Sequence, residues 1–425
     1  MAVSATDPSN AVRDTLPILN LPALLAGPRP PPLLAMVALL VRIGYALTQP
    51  PSIVVTFEAD PLTYDQIARN LAAGRGFSGA SFYYPPGSDV PTAFWDALYP
   101  LFLAGIYTVF GHSVPAVRVI HALLGSISVW LTFWLGARLA GRSVGLLAAT
   151  ISALYPFFIY YSAQLLTETL FMALILGVFA VALKAEESGR VAWQALLGLL
   201  VALAALSRAE AFYVGLALVI WTAWRADRPK PARLLLAGTG LVCVALIMTP
   251  WVIRNQLAFG APILTTTKLG YNLYRSYHPE MTADWTVRAI PFPELDGLTE
   301  PQREKVMRDQ AIGFMAAAPG RTLWFMANKL ALLFKLTPSN EVNRQYALIS
   351  LLSYGVLLPF MAAGLIIAIR RGGQFLPVVA YVVFSIATKV AIVAGIRLRM
   401  QIEPFLIILA ALALTTVARR VLRAR

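Results

Sequence analysis

The chain is dominated by long apolar runs that are separated by short polar segments. About 20 apolar residues are needed to cross the roughly 30 Å hydrocarbon layer of a bilayer. Ten segments approach that length, and some of them are short for a span. They lie at 33–50, 115–137, 143–161, 164–183, 192–207, 210–224, 234–251, 347–369, 374–396 and 402–418. The pattern predicts an all-α integral membrane protein with about ten transmembrane helices.

Two shorter apolar stretches, 97–110 and 322–336, lie outside these runs. The second one carries Asn328, Lys329 and Lys335, which are unfavourable in the middle of a bilayer. We therefore interpret both stretches as helices that lie at the membrane surface. If both crossed the membrane instead, the number of spans would rise from ten to twelve.

Composition supports the membrane class. Apolar residues make up 58% of the 425 positions and charged residues 13%, about half of what soluble domains carry. The net charge of +14 could suggest a nucleic-acid partner, but lysine and arginine gather at helix ends. When the N-terminus is placed in the cytoplasm, the excess of basic residues is cytoplasmic, as the positive-inside rule requires. We expect a multi-pass protein of the cell inner (plasma) membrane, with both termini cytoplasmic and no nucleic-acid partner.

The predicted topology divides the chain into four parts. Residues 1–32 form a cytoplasmic segment, and residues 33–251 form a transmembrane module that includes a first outer loop at 51–114. A second outer loop follows at 252–346, and residues 347–425 form the last helices and a basic tail. No convincing cleavage site follows the first apolar run, so we expect a retained signal anchor. Since outer loops of this length are uncommon without a function, we expect the chemistry to be extracytoplasmic.

The first outer loop opens with two acidic residues, Glu58 and Asp60, directly after the first span. A carboxylate at the end of a membrane helix lies in reduced dielectric, where it can act as a base or bind a cation. The alternative is a polar cap on the membrane surface, and the residues alone favour neither interpretation.

Short motifs then follow one another in a fixed order along the chain. They are Glu58-Ala59-Asp60 with Tyr64, Gly74-Arg75-Gly76-Phe77, Pro85-Pro86-Gly87, Leu166-Thr167-Glu168, Pro250-Trp251-Val252-Ile253-Arg254-Asn255, and Arg397-Leu398-Arg399 ahead of Glu403-Pro404-Phe405. Together they resemble the GT-C glycosyltransferases, in the branch of the protein O-mannosyltransferases and the lipid A aminoarabinose transferase. The resemblance covers about residues 35–418. Many relatives have two adjacent acids where this sequence reads Glu58-Ala59-Asp60.

The resemblance implies an enzyme with a GT-C-type helical bundle. Such an enzyme moves a sugar from a polyprenyl-phosphate donor to an acceptor on the outer face, with inversion at the anomeric carbon. Asp60 matches the family's catalytic carboxylate and would be the general base, a role that Glu58 could share or replace. Glu168 matches a second acidic position, where it would orient the acceptor or pair with a loop arginine. The alternatives for Glu168 are a helix-end cap and an acid that snorkels to the surface, but an unpaired carboxylate is costly inside the end of a span, which favours a functional role.

Cations are needed beside the donor phosphate. Arg397 and Arg399 lie at the outer end of the ninth predicted span, and arginine makes bidentate bonds to phosphate. The alternative is ordinary snorkelling at the interface. Arg254 and Lys268 are secondary candidates. We expect Arg397 and Arg399 on one wall of an outward-open cavity, near Asp60 and Glu168.

On the acceptor side, the predicted contacts are Tyr64, Asp65, Tyr271 and His278. The histidines do not have metal-ligand spacing, so no metal site is predicted and no cofactor is required, although a divalent cation is compatible with the acidic residues. Arg208 and Glu210 are expected to form a structural pair.

The rival hypothesis from another class is a transporter or flippase of polyprenyl-linked sugars. It would place charges near the bilayer centre, where only Arg42 and Lys389 are expected, so the enzyme is favoured. A third hypothesis, a non-catalytic scaffold, leaves the first-loop motif unexplained. The acceptor could be a lipid, a glycan or a protein, and the sugar is not identified by the sequence.

Overall fold

The computed structural model describes residues 32–53, 60–85, 87–281, 290–337 and 344–423. Within these ranges the regular structure is helical, apart from two isolated β-bridges in the first outer loop. The helices are α1 (Pro32–Leu47), α2 (Asp60–Ala72), α3 (Leu98–Phe110), α4 (Val114–Ala140), α5 (Arg142–Leu154), α6 (Pro156–Ser162), α7 (Glu168–Ser188), α8 (Val191–Ser207), α9 (Glu210–Arg225), α10 (Lys230–Phe259), α11 (Lys268–Tyr277), α12 (Glu300–Ala317), α13 (Pro319–Leu333), α14 (Arg344–Arg371), α15 (Leu376–Ala391), α16 (Ile396–Arg399) and α17 (Glu403–Arg423). The all-α membrane fold predicted from the apolar pattern is thereby confirmed.

Every predicted span coincides with a helix, but fewer of the helices are long and apolar enough to cross a membrane. In the described part of the chain six helices qualify, or seven if the bent pair α5–α6 counts as one span. Helices α1, α8 and α9 have 16, 17 and 16 residues, which is slightly short for a ~30 Å layer. The count of ten therefore stays a prediction. The stretches 97–110 and 322–336 do form helices, α3 and α13.

The bend between α5 and α6 has an identifiable cause. Pro156 has no backbone N–H, so the helix cannot continue through it and the axis turns by 53°. The carbonyls that lose their partners there are those of Ser152 and Ala153, and the buried guanidinium of Arg42 in α1 donates to both at 3.1 Å. Arg42, deep in the first predicted span, is thus a structural donor to a broken helix.

Small residues let the spans pack closely. A methyl group at Gly364 of α14 would lie 1.9 Å from the carbonyl oxygen of Leu409 in α17, and one at Gly198 of α8 would lie 2.3 Å from that of Gly240 in α10. Glycine at such crossings allows backbones to approach each other without a side chain between them.

The buried carboxylate of Glu300 links the two predicted outer loops, 51–114 and 252–346, which are called the first and second outer segments below. Glu300, at the start of α12, accepts hydrogen bonds from the Thr92 hydroxyl (2.8 Å), the Ala93 amide (2.7 Å) and the Thr267 hydroxyl (2.6 Å). Thr92 and Ala93 belong to the first outer segment, whereas Thr267 immediately precedes α11 in the second. Glu300 therefore places Lys268, the first residue of α11, next to the first outer segment.

Candidate active site

Three helices that begin at the same end of the bundle each start with a charged residue. Asp60 is the first residue of α2 and Glu168 the first of α7, and the positive end of the helix dipole favours a carboxylate at that position. Lys268 is the first residue of α11. These starts converge on the short helix α16, which carries Arg397.

Arg397 joins the two predicted carboxylates. Its Nη1 donates to Asp60 Oδ2 at 2.7 Å, and its Nε donates to Glu168 Oε1 at 2.5 Å. The side chains of Arg397, Asp60 and Glu168 are 12%, 18% and 1% exposed. A guanidinium with its fork of donors can bind two carboxylates at once. The structure thus brings together three of the residues that the sequence analysis singled out, although they lie up to 337 positions apart in the chain.

Glu168 has a second cationic partner, Arg208. The Nη2 of Arg208 donates to Glu168 Oε1 at 2.6 Å and to the hydroxyl of Thr167 at 2.8 Å. The predicted pair of Arg208 with Glu210 was wrong, because Glu210 accepts instead from Lys389 Nζ at 2.8 Å. Arg208 lies in the extended break after α8, whereas Glu210 is the first residue of α9, so their closeness in the sequence does not bring their side chains together. Lys389 is accordingly a partner of Glu210 across α9 and α15.

Lys268 completes the cationic side of the site. Its Nζ lies 4.1 Å from the ring centroid of Trp95 and 5.4 Å from that of Phe94, a cation–π arrangement. Burial lowers the pKa of Lys268, and the charges of Asp60 and Asp96 act in the opposite direction. Burial likewise raises the pKa of Asp60, against the influence of Lys268 and Arg208. A carboxylate with a raised pKa is a stronger base than a free one.

Asp96 is an acidic residue of the site that the sequence analysis did not identify. Burial raises its pKa to about 6, while Lys268, Arg208 and the Ala209 amide favour the charged form. It follows Trp95, on whose ring Lys268 rests. No motif in the sequence marks Asp96. The signal that could have predicted its role is its position after the aromatic residues Phe94 and Trp95, just before α3.

Arg399 does not lie on the same wall as Arg397, contrary to expectation. It is fully buried, its Nε donates to Glu403 Oε1 at 2.5 Å, and its guanidinium carbon lies 3.4 Å from the ring centroid of Tyr354. Both arginines belong to α16, in which residues two apart point to nearly opposite sides. Arg399 therefore contacts the bundle interior and does not face Asp60.

Arg254 is also used structurally. Its guanidinium donates to the carbonyls of Thr92 (2.9 Å) and Phe77, and lies 5.2 Å from the ring centroid of Trp251. These contacts fasten the first outer segment to the end of α10. Arg254 thus holds protein carbonyls in this structure, which is not the phosphate-binding arrangement that was expected.

The predicted acceptor contacts are mostly covered by protein. Tyr64 packs against Trp95 at 5.1 Å between ring centroids and is buried, and Tyr271 is buried and stacks on Phe82 at 4.3 Å. The carboxylate of Asp65 accepts hydrogen bonds from Tyr107 and Arg69. Asp65 therefore links α2 to α3, and Tyr271 packs against the first outer segment. Burial, together with the charges of Asp60 and Asp96, raises the pKa of Tyr64.

The remaining two predicted site residues are His278 and Glu58. His278 is buried at the end of α11, where its ring lies 5.1 Å from that of Tyr274, so it too packs within the second outer segment. Glu58 lies outside the described residues. Among the residues that are described, no group of three or more His, Cys, Asp or Glu side chains could hold a metal ion, and metal dependence stays a prediction in both directions.

The helical bundle with its acid–arginine cluster is similar in fold to membrane glycosyltransferases of the GT-C class. The model of the family described as dolichyl-phosphate-mannose-protein mannosyltransferase matches residues 96–253. The matched region begins at Asp96 and includes Glu168, Arg208 and most of α10.

Solved structures support the same fold. An oligosaccharyltransferase AglB from Archaeoglobus fulgidus, in complex with an inhibitory peptide and a dolichol-phosphate, is similar with a TM-score of 0.55 at 16% identity, over 92% of this chain and 51% of that chain. The apo form from the same organism is similar with a TM-score of 0.55 at 17% identity, over 92% and 51%. The chain thus spans about half the length of these proteins. Apo ArnT from Cupriavidus metallidurans shows a weaker similarity. Its TM-score is 0.44 at 16% identity, over 91% of this chain and 77% of that chain. No curated protein sequence matches this chain significantly.

Proposed function

We propose that this protein is an inverting glycosyltransferase that moves a sugar from a polyprenyl-phosphate donor to an acceptor on the extracytoplasmic face of a cell inner membrane. The observation that carries the proposal is the ion pair between Asp60 and Arg397, which places a base directly beside a cation. Such a juxtaposition suits a reaction in which an acceptor loses a proton while a phosphate leaves.

Asp60 would be the general base. As the acceptor oxygen or nitrogen forms its bond to the sugar C1, its proton passes to the Asp60 carboxylate, and the bond between C1 and the phosphate oxygen breaks. The polyprenyl phosphate leaves with the electron pair of that bond. Attack from the side opposite the phosphate inverts C1, so one base suffices. The raised pKa of Asp60 suits this role because proton transfer is most efficient when the base is not too weak.

Arg397 and Lys268 would hold the donor phosphate. Donors aimed at the oxygen where charge develops are the strongest contribution that a preorganised site makes. Because Arg397 already binds Asp60, a phosphate bound to the same guanidinium would place the sugar C1 next to the base. Lys268, 4.1 Å above the Trp95 ring, supplies a second positive charge on the side of the outer segments.

Glu168 would keep Arg397 in place. It is 1% exposed and shared by Arg397 and Arg208, so its charge is balanced whether or not donor is bound. The described cluster contains the acids Asp60, Asp96 and Glu168 and the bases Arg208, Lys268 and Arg397. With equal numbers of each sign, the cluster is neutral before the donor phosphate adds its negative charge. We propose that transfer requires no metal, although a divalent cation is compatible with the site.

A transfer assay tests the proposal. Purified protein in detergent receives a panel of radiolabelled polyprenyl-phosphate sugars and a crude membrane extract as acceptor, with Asp60→Asn and with Asp309→Asn as a matched control at an exposed position of α12. We expect label to pass from one donor into the extract with the wild type and the control, and to fall at least 100-fold in Asp60→Asn. Retained turnover in Asp60→Asn would refute the role of Asp60. Donor binding without transfer by the wild type would favour a flippase.

A further inference from the structure

The segment that carries Arg397 is held by the second outer segment. It starts where α15 ends, at Ala391 and Ile392, and passes through Val393, Ala394 and Gly395 into α16. The carbonyls at the end of a helix have no partner within it.

Three donors from two helices bind those carbonyls. The hydroxyl of Ser276 donates to the Ile392 carbonyl at 2.6 Å and that of Tyr277 donates to the Ala391 carbonyl at 2.7 Å, both from α11. Lys329 of α13 adds a bond from its Nζ to the Ile392 carbonyl at 3.0 Å. The turn before Arg397 is therefore held by two helices of the second outer segment.

Lys329 is the unusual member of this set. Its side chain is fully buried, and its Nζ lies 3.8 Å from the ring centroid of Tyr277. Burial lowers the pKa of Lys329 to about 7, because an ammonium is disfavoured away from water. A buried ammonium is compensated by hydrogen bonds and by aromatic rings, and here the compensating groups are the very ones that fix the Arg397 segment.

We propose that Lys329 is a positioning residue for Arg397, through which the second outer segment sets the affinity of the site for the donor's phosphate. Lys329 fixes Ile392, five positions before Arg397, and Arg397 in turn bridges Asp60 and Glu168. The inference rests on the proposed function, since it takes the ligand of Arg397 to be a lipid phosphate.

Binding of undecaprenyl phosphate to the full-length protein in detergent tests the proposal without any transfer step. Lys329→Met removes the ammonium while keeping a side chain of similar length, and Lys305→Met makes the same change at an exposed position of α12. Tyr277→Phe removes one hydroxyl and keeps the ring. We expect Kd to rise about tenfold in Lys329→Met, a step of 1.4 kcal/mol, by a smaller factor in Tyr277→Phe, and not at all in Lys305→Met. Arg397→Ala sets the size of the full loss.

A role limited to folding predicts a different pattern. In that case Lys329→Met would lower the amount of active protein and its melting temperature but leave the Kd of the remaining protein unchanged, and so would Tyr277→Phe. An unchanged Kd in either variant that folds overturns the proposal. If the wild type itself does not bind undecaprenyl phosphate, or if Arg397→Ala binds it equally well, the assignment of Arg397 to the phosphate fails first. The donor KM in the transfer assay should follow the Kd, whereas the acceptor KM should not.

Discussion

Arg397 shows how one side chain can join residues that the chain keeps far apart. Its guanidinium contacts Asp60 in the first outer segment and Glu168 at the start of α7. A lysine could not bind both carboxylates with a fixed geometry, because its ammonium is a point charge on a flexible stem. At the scale of the residue, the site is thus built from a planar cation held between two acids.

The raised pKa of Asp60 leads to a prediction for pH dependence. The base must be deprotonated to accept the acceptor's proton, so activity is lost as the pH falls through the pKa of Asp60 in the folded protein. Because burial raises that pKa, kcat/KM should decline at a pH above the value of about 3.9 for free aspartate. A pH profile of transfer between pH 4 and 8 checks this.

Asp96, whose pKa lies at about 6, titrates in the same range, so neighbouring acids give apparent values that belong to the cluster. The profile should therefore be repeated with Asp96→Asn. We expect an acid limb to persist in this variant because Asp60 remains. An acid limb at or below pH 4 in both proteins would contradict the proposed role of Asp60.

At the scale of helices and loops, Glu300 links the two outer segments through three hydrogen bonds. Replacing it with alanine leaves three buried donors without their acceptor, and each such group costs about 1–3 kcal/mol. Removing the carboxylate also removes the cost of burying it, so the net loss is smaller than the sum of the three. We expect Glu300→Ala to lower the free energy of unfolding by about 2–4 kcal/mol, and to lower the affinity for donor because Lys268 follows Thr267.

Thermal unfolding in detergent, followed by tryptophan fluorescence, measures this effect. Glu294→Ala serves as the control, since Glu294 is an exposed carboxylate of the same outer segment. Equal melting temperatures for Glu300→Ala and Glu294→Ala would show that the link does not stabilise the fold.

Much of this arrangement was accessible from the sequence, for reasons that differ between residues. The apolar runs predicted the helices because every backbone group in lipid must be paired within a helix. Asp60, Glu168 and Arg397 were found because short motifs mark them. The contacts of Arg399 and Arg254 could not be predicted from the sequence, since both depend on which carbonyls, rings and acids the tertiary fold brings close to them. Arg208 was assigned to the wrong partner, because Glu168 lies 40 positions away in the sequence.

At the scale of the whole molecule, the distribution of charge predicts which end of the bundle faces the cytoplasm. The connection between α9 and α10 carries Arg225, Arg228 and Lys230, which the positive-inside rule places on the cytoplasmic side. The site around Asp60 lies at the opposite ends of the helices. Both termini would then be cytoplasmic.

Single-cysteine labelling tests this orientation. Cys243 is the sole native cysteine, so a Cys243→Ala background is free of thiols. In intact cells that express the protein, Asp309→Cys should react with a membrane-impermeant maleimide, and Asp227→Cys should react only after permeabilisation. Both positions are exposed, so accessibility to solvent is matched. The reverse labelling pattern would place the site on the cytoplasmic side.

Arg42 has a consequence for the way the protein is made. The carbonyls that its guanidinium binds are 110 and 111 positions further along the chain, so they do not yet exist when the ribosome delivers α1 to the bilayer. An arginine near the middle of a short apolar helix raises the cost of insertion by about 2.5–3.5 kcal/mol. We therefore expect α1 to become fully stable in the membrane only when α5 and α6 have been synthesised. Until then, retention of α1 in the bilayer would depend on the translocation machinery.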